Sequence, residues 1–305
     1  MKILVFTEKP FAAPAVKAIQ NVINAAGEDM VLIERGTRED LISAVKDVEA
    51  LIVRSDIVDA EVFDAAPKLK VVVRAGAGYD NIDLQAASNH GVCVMNTPGQ
   101  NSNAVAELVF GMIVMMCRNK YNGSSGSELK GKTLGIYAFG QVGRNVARIA
   151  EGFGMVINAL DVFVPDEEMI KHGVNPVHDV KALFADNDFV SLHIPATPQT
   201  KHSIGYELVV SMPKNGVLVN TARKEIIDED GLLKALEERP DLRYVSDIKP
   251  DKAEEFEKRF AERVFFTPKK MGAQTAEANF NAGVAAAEQA IAYLRDGWNK
   301  YQVNK

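Results

Sequence analysis

Short, nearly continuous apolar runs alternate with helical patterns along the whole chain. In the first third the runs are 3–6 (Ile3-Leu4-Val5-Phe6), 31–34, 50–54, 69–74 and 92–96. They do not alternate apolar with polar residues. That marks strands covered on both faces, hence a parallel sheet with crossover helices. A second series begins at Gly131, with runs at 133–137, 156–161, 189–194, 216–220, 243–247 and 264–267. Between the two series, 101–118 reads as a long apolar helix, with Ser102 or Asn103 as its cap. The polar stretch 119–130 reads as a linker or exposed loop. An Ala-rich helix over 275–295 follows the second series, and no repeat or low-complexity segment is visible.

Composition narrows the class. The chain has 305 residues, 47% hydrophobic and 25% charged, which suits two soluble domains. A net charge of -6 lacks the broad basic footprint of a nucleic-acid binder. Any anionic ligand must therefore be held by a few placed Arg or Lys residues. Cys93 and Cys117 lie outside any CxxC or Cys/His cluster, so no metal site is expected and both read as buried thiols of a reducing compartment. The N-terminal apolar run is too short for a signal peptide, and no stretch nears the roughly 18 apolar residues of a membrane span. The expectation is a cytoplasmic protein with neither nucleic-acid nor membrane partners.

One turn carries chemistry. Leu134-Gly135-Ile136-Tyr137 runs into Ala138-Phe139-Gly140-Gln141-Val142-Gly143, followed by a helix over 144–151. Strand, glycine turn and helix in that order form the fingerprint of a dinucleotide site. Amides at Gly140, Gln141, Val142 and Gly143 would meet the pyrophosphate at the helix start. Asp161 ends the next strand, 18 residues after Gly143 (161 − 143), where an acidic residue binds a ribose 2′-OH and repels a 2′-phosphate. The expected cofactor is NAD. Ala138 replaces the first glycine, which is acceptable if its φ stays negative.

Six segments, one of them containing that turn, extend this reading: VRSD at 53–56, KVVVRAGAGYDNIDLQAA at 70–87, NTPGQNSNAVAELVFGMI at 96–113, ELKGKTLGIYAFGQVGR at 128–144, SLHIPATPQTKHSIG at 191–205 and VLVNTARKEIIDEDGLLKAL at 217–236. Together they resemble the D-2-hydroxyacid dehydrogenases, and the resemblance extends along nearly the whole chain. The resemblance implies an α/β architecture of two Rossmann-like, doubly wound parallel-sheet domains. An NAD-binding domain at 99–272 would be inserted into a substrate domain made of 1–98 and 273–305. It implies a catalytic cleft in which Arg223 holds the substrate's carboxylate and keto oxygen. Arg74, Ala75, Gly76, Ala77 and Gly78 would offer backbone amides to that carboxylate. Arg54 and Ser55, with Arg74, would hold a phosphate on a small anionic substrate, and Asn101 would line the cleft. His193, Ile194, Pro195 and Thr200 would border the adenosine side of NAD. Thr221, Ala222 and Arg223 would line the cofactor, and Asp247 would contact the nicotinamide amide.

The chain departs from the family at the acid/base pair. The family has His in a TPH segment oriented by a Glu, whereas this chain reads Thr267-Pro268-Lys269-Lys270-Met271-Gly272, with Ser246-Asp247-Ile248-Lys249-Pro250 upstream. None of its five histidines falls in the slot. Two readings stand: a degraded site in a non-catalytic NAD(H)-sensing protein, or a lysine acting as the base. A lysine must have its pKa lowered to work near neutrality, so losing the Glu while gaining Lys is coherent chemistry. Counting from Thr267-Pro268 gives Lys269 the slot, and counting back from Gly272 gives Lys270. The strand end favours Lys269. Relatives carry a longer dimer arm after the apolar helix, so a homodimer through that helix is expected without the arm contacts. Because the sequence stops at Lys305, no C-terminal regulatory domain and no feedback inhibition by serine through one are expected.

Overall fold

The computed structural model describes residues 1–305. The chain divides into two compact units, residues 1–101 with 274–305, and residues 102–273.

The first unit opens with β1 (Lys2–Thr7), α1 (Ala13–Ala25), β2 (Asp29–Glu34), α2 (Arg38–Ala44), β3 (Ala50–Val53), α3 (Ala60–Asp64), β4 (Val71–Arg74), α4 (Leu84–Asn89) and β5 (Cys93–Asn96). The five strands are parallel, in the order β2-β1-β3-β4-β5. All of β3 and β5 is buried, which is why their sequences run apolar without alternation. The order reverses between β1 and β3, and open α/β sheets bind ligands outside the strand C-termini at such a point.

The second unit contains α5 (Ser102–Cys117), β6 (Thr133–Tyr137), α6 (Gln141–Gly152), β7 (Val156–Leu160), α7 (Asp166–Lys171), β8 (Asn175–Pro176), α8 (Val180–Ala185), β9 (Phe189–Leu192), α9 (Tyr206–Val210), β10 (Val217–Asn220), α10 (Glu229–Glu238), β11 (Arg243–Ser246), α11 (Ala253–Phe260) and β12 (Val264–Phe266). Its seven parallel strands run β12-β11-β10-β9-β6-β7-β8, so the order reverses between β6 and β9. The long helix α12 (Ala276–Asp296) then rejoins the first unit. Thr275 caps it by accepting the Ala278 N–H at 3.1 Å. α12 packs closely on α1 because Gly283 lacks a Cβ, which would meet Ile19 at 2.8 Å and Phe11 at 3.1 Å.

Three local features differ from the sequence reading. The helix after the cofactor turn starts at Gln141 rather than Arg144. The edge strand β8 has two residues and no apolar run to announce it. The stretch after α5 is not simply irregular: Asn119, Lys120 and Tyr121 form a left-handed turn, with φ of 50°, 52° and 59°. Hydrogen bonds within the second unit impose it. Lys120 Nζ donates to the carbonyls of Ala261 (2.5 Å) and Val264 (2.8 Å), and Arg243 donates to Asn119 Oδ1 at 3.1 Å.

Candidate functional site

In the second unit the ends of β6 and β9 meet at the point of reversal. The turn after β6 is tied down residue by residue. Ala138 N–H donates to the Leu160 carbonyl at 2.8 Å. Phe139 N–H donates to Asp161 Oδ2 at 2.7 Å, and Asp161 Oδ1 accepts from Phe163 (2.8 Å) and Val164 (3.2 Å). These anchors force Ala138 to a φ of 80°, against the expected negative value. Gly143 completes the turn, since a Cβ there would sit 2.3 Å from the Ala138 carbonyl oxygen. Gly140 is different: its Cβ would meet nothing within 4 Å, so open space lies in front of the turn. α6 starts at Gly140 without a side-chain cap and with no acidic residue in its first turn. Uncapped amides, the positive end of a helix dipole and adjacent open space suit a pyrophosphate, so the residues present fit a dinucleotide.

The neighbouring strand ends carry the other sequence-predicted residues. His193 N–H donates to the Tyr137 carbonyl at 2.9 Å, joining β9 to β6. Its imidazole lies between Ser191 Oγ (2.9 Å) and Thr221 Oγ1 (3.5 Å), and burial pushes its pKa down to about 3. It is therefore neutral at physiological pH. Ile194 is buried, and Thr200 Oγ1 donates to the Pro195 carbonyl at 2.6 Å, closing the loop after β9. Asn220, which the motif reading did not single out, shapes the loop after β10. Its side chain accepts the Ala222 N–H at 2.9 Å and donates to the Arg223 carbonyl at 2.9 Å. Its full burial at the end of an apolar strand is visible only in the fold.

Asp247, Arg223 and Lys270 come together beyond β10, β11 and β12. Arg223 Nη1 and Lys270 Nζ both donate to the Ala222 carbonyl, at 2.9 and 3.2 Å. Asp247 is buried, with Oδ2 accepting the Gly272 N–H at 2.8 Å and Oδ1 lacking any partner. Burial raises the Asp247 pKa, opposed by that N–H and by the charges of Lys270 and Arg223. An orphaned, buried acceptor beside two cations fits a ligand amide. The Thr267 hydroxyl lies within hydrogen-bond distance of the carbonyls of Asp247 (2.8 Å) and Lys269 (2.7 Å); the side chains of Lys269 and Lys270 are both exposed, and that of Lys269 forms no hydrogen bond or ion pair. The family's Glu is absent, but Asp247 acts on Lys270 electrostatically.

The first unit supplies its own set. Arg54 follows β3, and its guanidinium lies over the Phe11 ring, 5.1 Å from the centroid. Arg74 Nε donates to the Arg54 carbonyl at 2.8 Å, and a Cβ on Gly76 would lie 2.0 Å from Arg74 Nη1, so the guanidinium packs against the bare glycine backbone. In the loop after β4, Ala75 N–H already donates to Val53 O and Gly76 N–H to Arg74 O, each at 2.8 Å. Only Ala77 and Gly78 keep amides without an acceptor, which shortens the expected run of free donors. Ser55 is exposed and Asn101 partly so, and neither side chain has a hydrogen-bond partner.

The profile of the D-isomer specific 2-hydroxyacid dehydrogenase NAD-binding domain matches residues 107–269. The chain is 37% identical to a D-3-phosphoglycerate dehydrogenase of Methanocaldococcus jannaschii, across 97% of this chain and 58% of that protein. It therefore spans little more than half of that relative. It is 35% identical to a hydroxypyruvate reductase of Thermotoga maritima, across 85% of this chain and 89% of that one. The solved structure of NAD+-bound 3-phosphoglycerate dehydrogenase from Entamoeba histolytica superposes with a TM-score of 0.89 at 48% identity, covering 100% and 99% of the two chains. Two parallel-sheet units, a dinucleotide turn at a point of strand reversal and matches running nearly end to end lead to one conclusion: the chain belongs to the D-isomer specific 2-hydroxyacid dehydrogenases, a family of NAD-dependent oxidoreductases.

Proposed function

We propose that this protein is a D-3-phosphoglycerate dehydrogenase, oxidising C2 of 3-phosphoglycerate to 3-phosphohydroxypyruvate in serine biosynthesis. The observation that carries the substrate is Arg54. Its guanidinium is half-buried at the end of β3, beside the strand reversal, and hydrogen-bonds to no carboxylate. An undischarged, partly desolvated cation there suits a phosphate. NAD, when bound, supplies the hydride acceptor. Gly140, Gln141, Val142 and Gly143 would hold its pyrophosphate and Asp161 its ribose. His193, Ile194, Pro195 and Thr200 would border the adenosine, and Thr221, Ala222 and the orphaned Asp247 Oδ1 the nicotinamide side.

Arg223 holds the substrate carboxylate and C2 oxygen, and Lys270 takes the C2 hydroxyl proton. The base is assigned to Lys270 rather than Lys269 because it shares the Ala222 carbonyl with Arg223. Arg223 and Asp247 act on its proton in opposite senses. Arg54, Ser55 and Arg74 receive the phosphate, with the Ala77 and Gly78 amides and Asn101 as further polar contacts. A homodimer through α5 is supported by the partly exposed Leu108, Val114 and Met115 flanking Gly111, which faces open space. A cytoplasmic location is supported by two buried, unpaired thiols. No helix is long and apolar enough to cross a membrane.

The coverage of the Thermotoga maritima protein supports a second reading, hydroxypyruvate reduction without a phosphate requirement. NADH oxidation at 340 nm, followed with 3-phosphohydroxypyruvate and with hydroxypyruvate, separates the two. The proposal expects a higher kcat/KM for the phosphorylated acid. Equal or reversed values contradict it, and no turnover with either favours a non-catalytic NAD(H) sensor.

A further inference from the structure

Arg54 is held by a set of acceptors that leaves its charge intact. Nη1 donates to the carbonyls of Lys9 and Pro10, each at 2.9 Å, and Nη2 donates to Asn279 Oδ1 at 2.5 Å. All three acceptors are neutral. Asp56 is the carboxylate that acts on Arg54, and its oxygens accept the backbone N–H groups of Glu8 (2.7 Å) and Arg54 itself (3.1 Å). Of the five guanidinium N–H groups, the Nε–H and the second Nη2–H remain open. Both are donors available to the oxygens of a phosphate.

Asn279 supplies the neutral acceptor for Nη2. It sits in the first turn of α12, where its Nδ2 donates to the Thr275 carbonyl at 2.7 Å. That bond fixes the amide, so only its oxygen can face Arg54. The Phe11 ring beneath the guanidinium is held in place in turn by its close packing against Gly283 of α12. An aspartate would have nearly the same shape and accept the same hydrogen bond, but it would neutralise the cation and compete with a substrate anion. The Lys9 ammonium, on the loop that supplies two of the carbonyls, is exposed and has no partner, adding positive charge nearby.

We propose that Asn279 is a positioning residue that makes this enzyme selective for a phosphorylated substrate: it orients Arg54 without discharging it. The inference rests on the 3-phosphoglycerate reading above. Its test compares wild type with Asn279→Asp and Asn279→Ala, measuring kcat and KM for NADH-dependent reduction of 3-phosphohydroxypyruvate and hydroxypyruvate, with melting temperatures alongside. Asn279→Asp is expected to lower kcat/KM for the phosphorylated acid on the order of 30-fold, mainly through KM, while hydroxypyruvate changes by no more than about twofold. Asn279→Ala, which loses the orienting bond but leaves the charge, falls between wild type and Asn279→Asp. A purely structural role predicts losses shared by both acids and following the fall in melting temperature, because aspartate keeps the acceptor for Arg54 but loses the Nδ2–H donor to Thr275, and alanine loses both. If both acids are affected alike, or if alanine is the more damaging change, the proposal is overturned. A wild type without preference for the phosphorylated acid overturns the substrate reading and this inference together. A wild type with the preference, retained in Asn279→Asp, overturns this inference alone.

Discussion

At a φ of 80°, Ala138 holds a backbone conformation that costs an L-residue about 1–2 kcal/mol. Glycine there relieves the strain but adds roughly 0.5–1 kcal/mol of unfolded-state entropy to be lost on folding. Ala138→Gly is therefore expected to stabilise the protein modestly, by about 0.5–1 kcal/mol, with NADH affinity unchanged or slightly improved. Thermal melts and an NADH fluorescence titration check both parts, and a lower melting temperature would contradict the account. The sequence named the residue but could not set its φ, because the cause is tertiary: Leu160 and Asp161, from the next strand and its end, fix two consecutive amides. The lysine register was hidden for the same reason. Spacing left Lys269 and Lys270 open with the strand end favouring Lys269, whereas it is the Lys270 ammonium that reaches the Ala222 carbonyl.

At the scale of elements, the strand–turn–helix from β6 to α6 gives a sharper test of the cofactor site. Its two last glycines have different jobs. Gly143→Ala drives a methyl into the Ala138 carbonyl and is expected to destabilise the fold by about 2–3 kcal/mol. Gly140→Ala meets nothing in the protein, so the fold should tolerate it while NADH binding weakens at least about tenfold, the scale of a small steric clash. If Gly140→Ala binds NADH as wild type does, the pyrophosphate is not at this turn. Elements of this kind were legible because buried parallel strands are written as unbroken apolar runs: β3 and β10 are buried at every position. β8, with two residues at a sheet edge, has no such run. The left-handed turn at Asn119–Tyr121 contains no glycine to signal it and depends on carbonyls over a hundred residues away.

Across the whole molecule the charges are arranged rather than abundant. A chain of net charge -6 places Arg54 and Arg74 at strand ends of one unit and Arg223 and Lys270 beyond strand ends of the other. The motifs disclosed most of these positions, because each lies next to a strand terminus with a recognisable sequence. Asn279 and Asn220 were not disclosed, since neutral side chains that orient a cation or a loop leave no mark in composition or charge. The catalytic assignment makes a claim about proton transfer that the histidines do not confuse. His193, the one beside the loop of Arg223, is pushed down to about 3 by burial and does not titrate between pH 5 and 9. On the proposed assignment Lys270 must be neutral to accept the C2 hydroxyl proton, so kcat/KM for 3-phosphoglycerate oxidation is expected to rise with pH. The decisive measurement is the pH–rate profile of NAD-dependent 3-phosphoglycerate oxidation for wild type, Lys269→Ala and Lys270→Ala. The account predicts that Lys269→Ala keeps the wild-type profile within about threefold, while Lys270→Ala loses on the order of 10²–10⁴-fold and its pH-dependent limb. A Lys270→Ala enzyme that retains wild-type rates and pH dependence, or a loss that falls on Lys269→Ala instead, would contradict it.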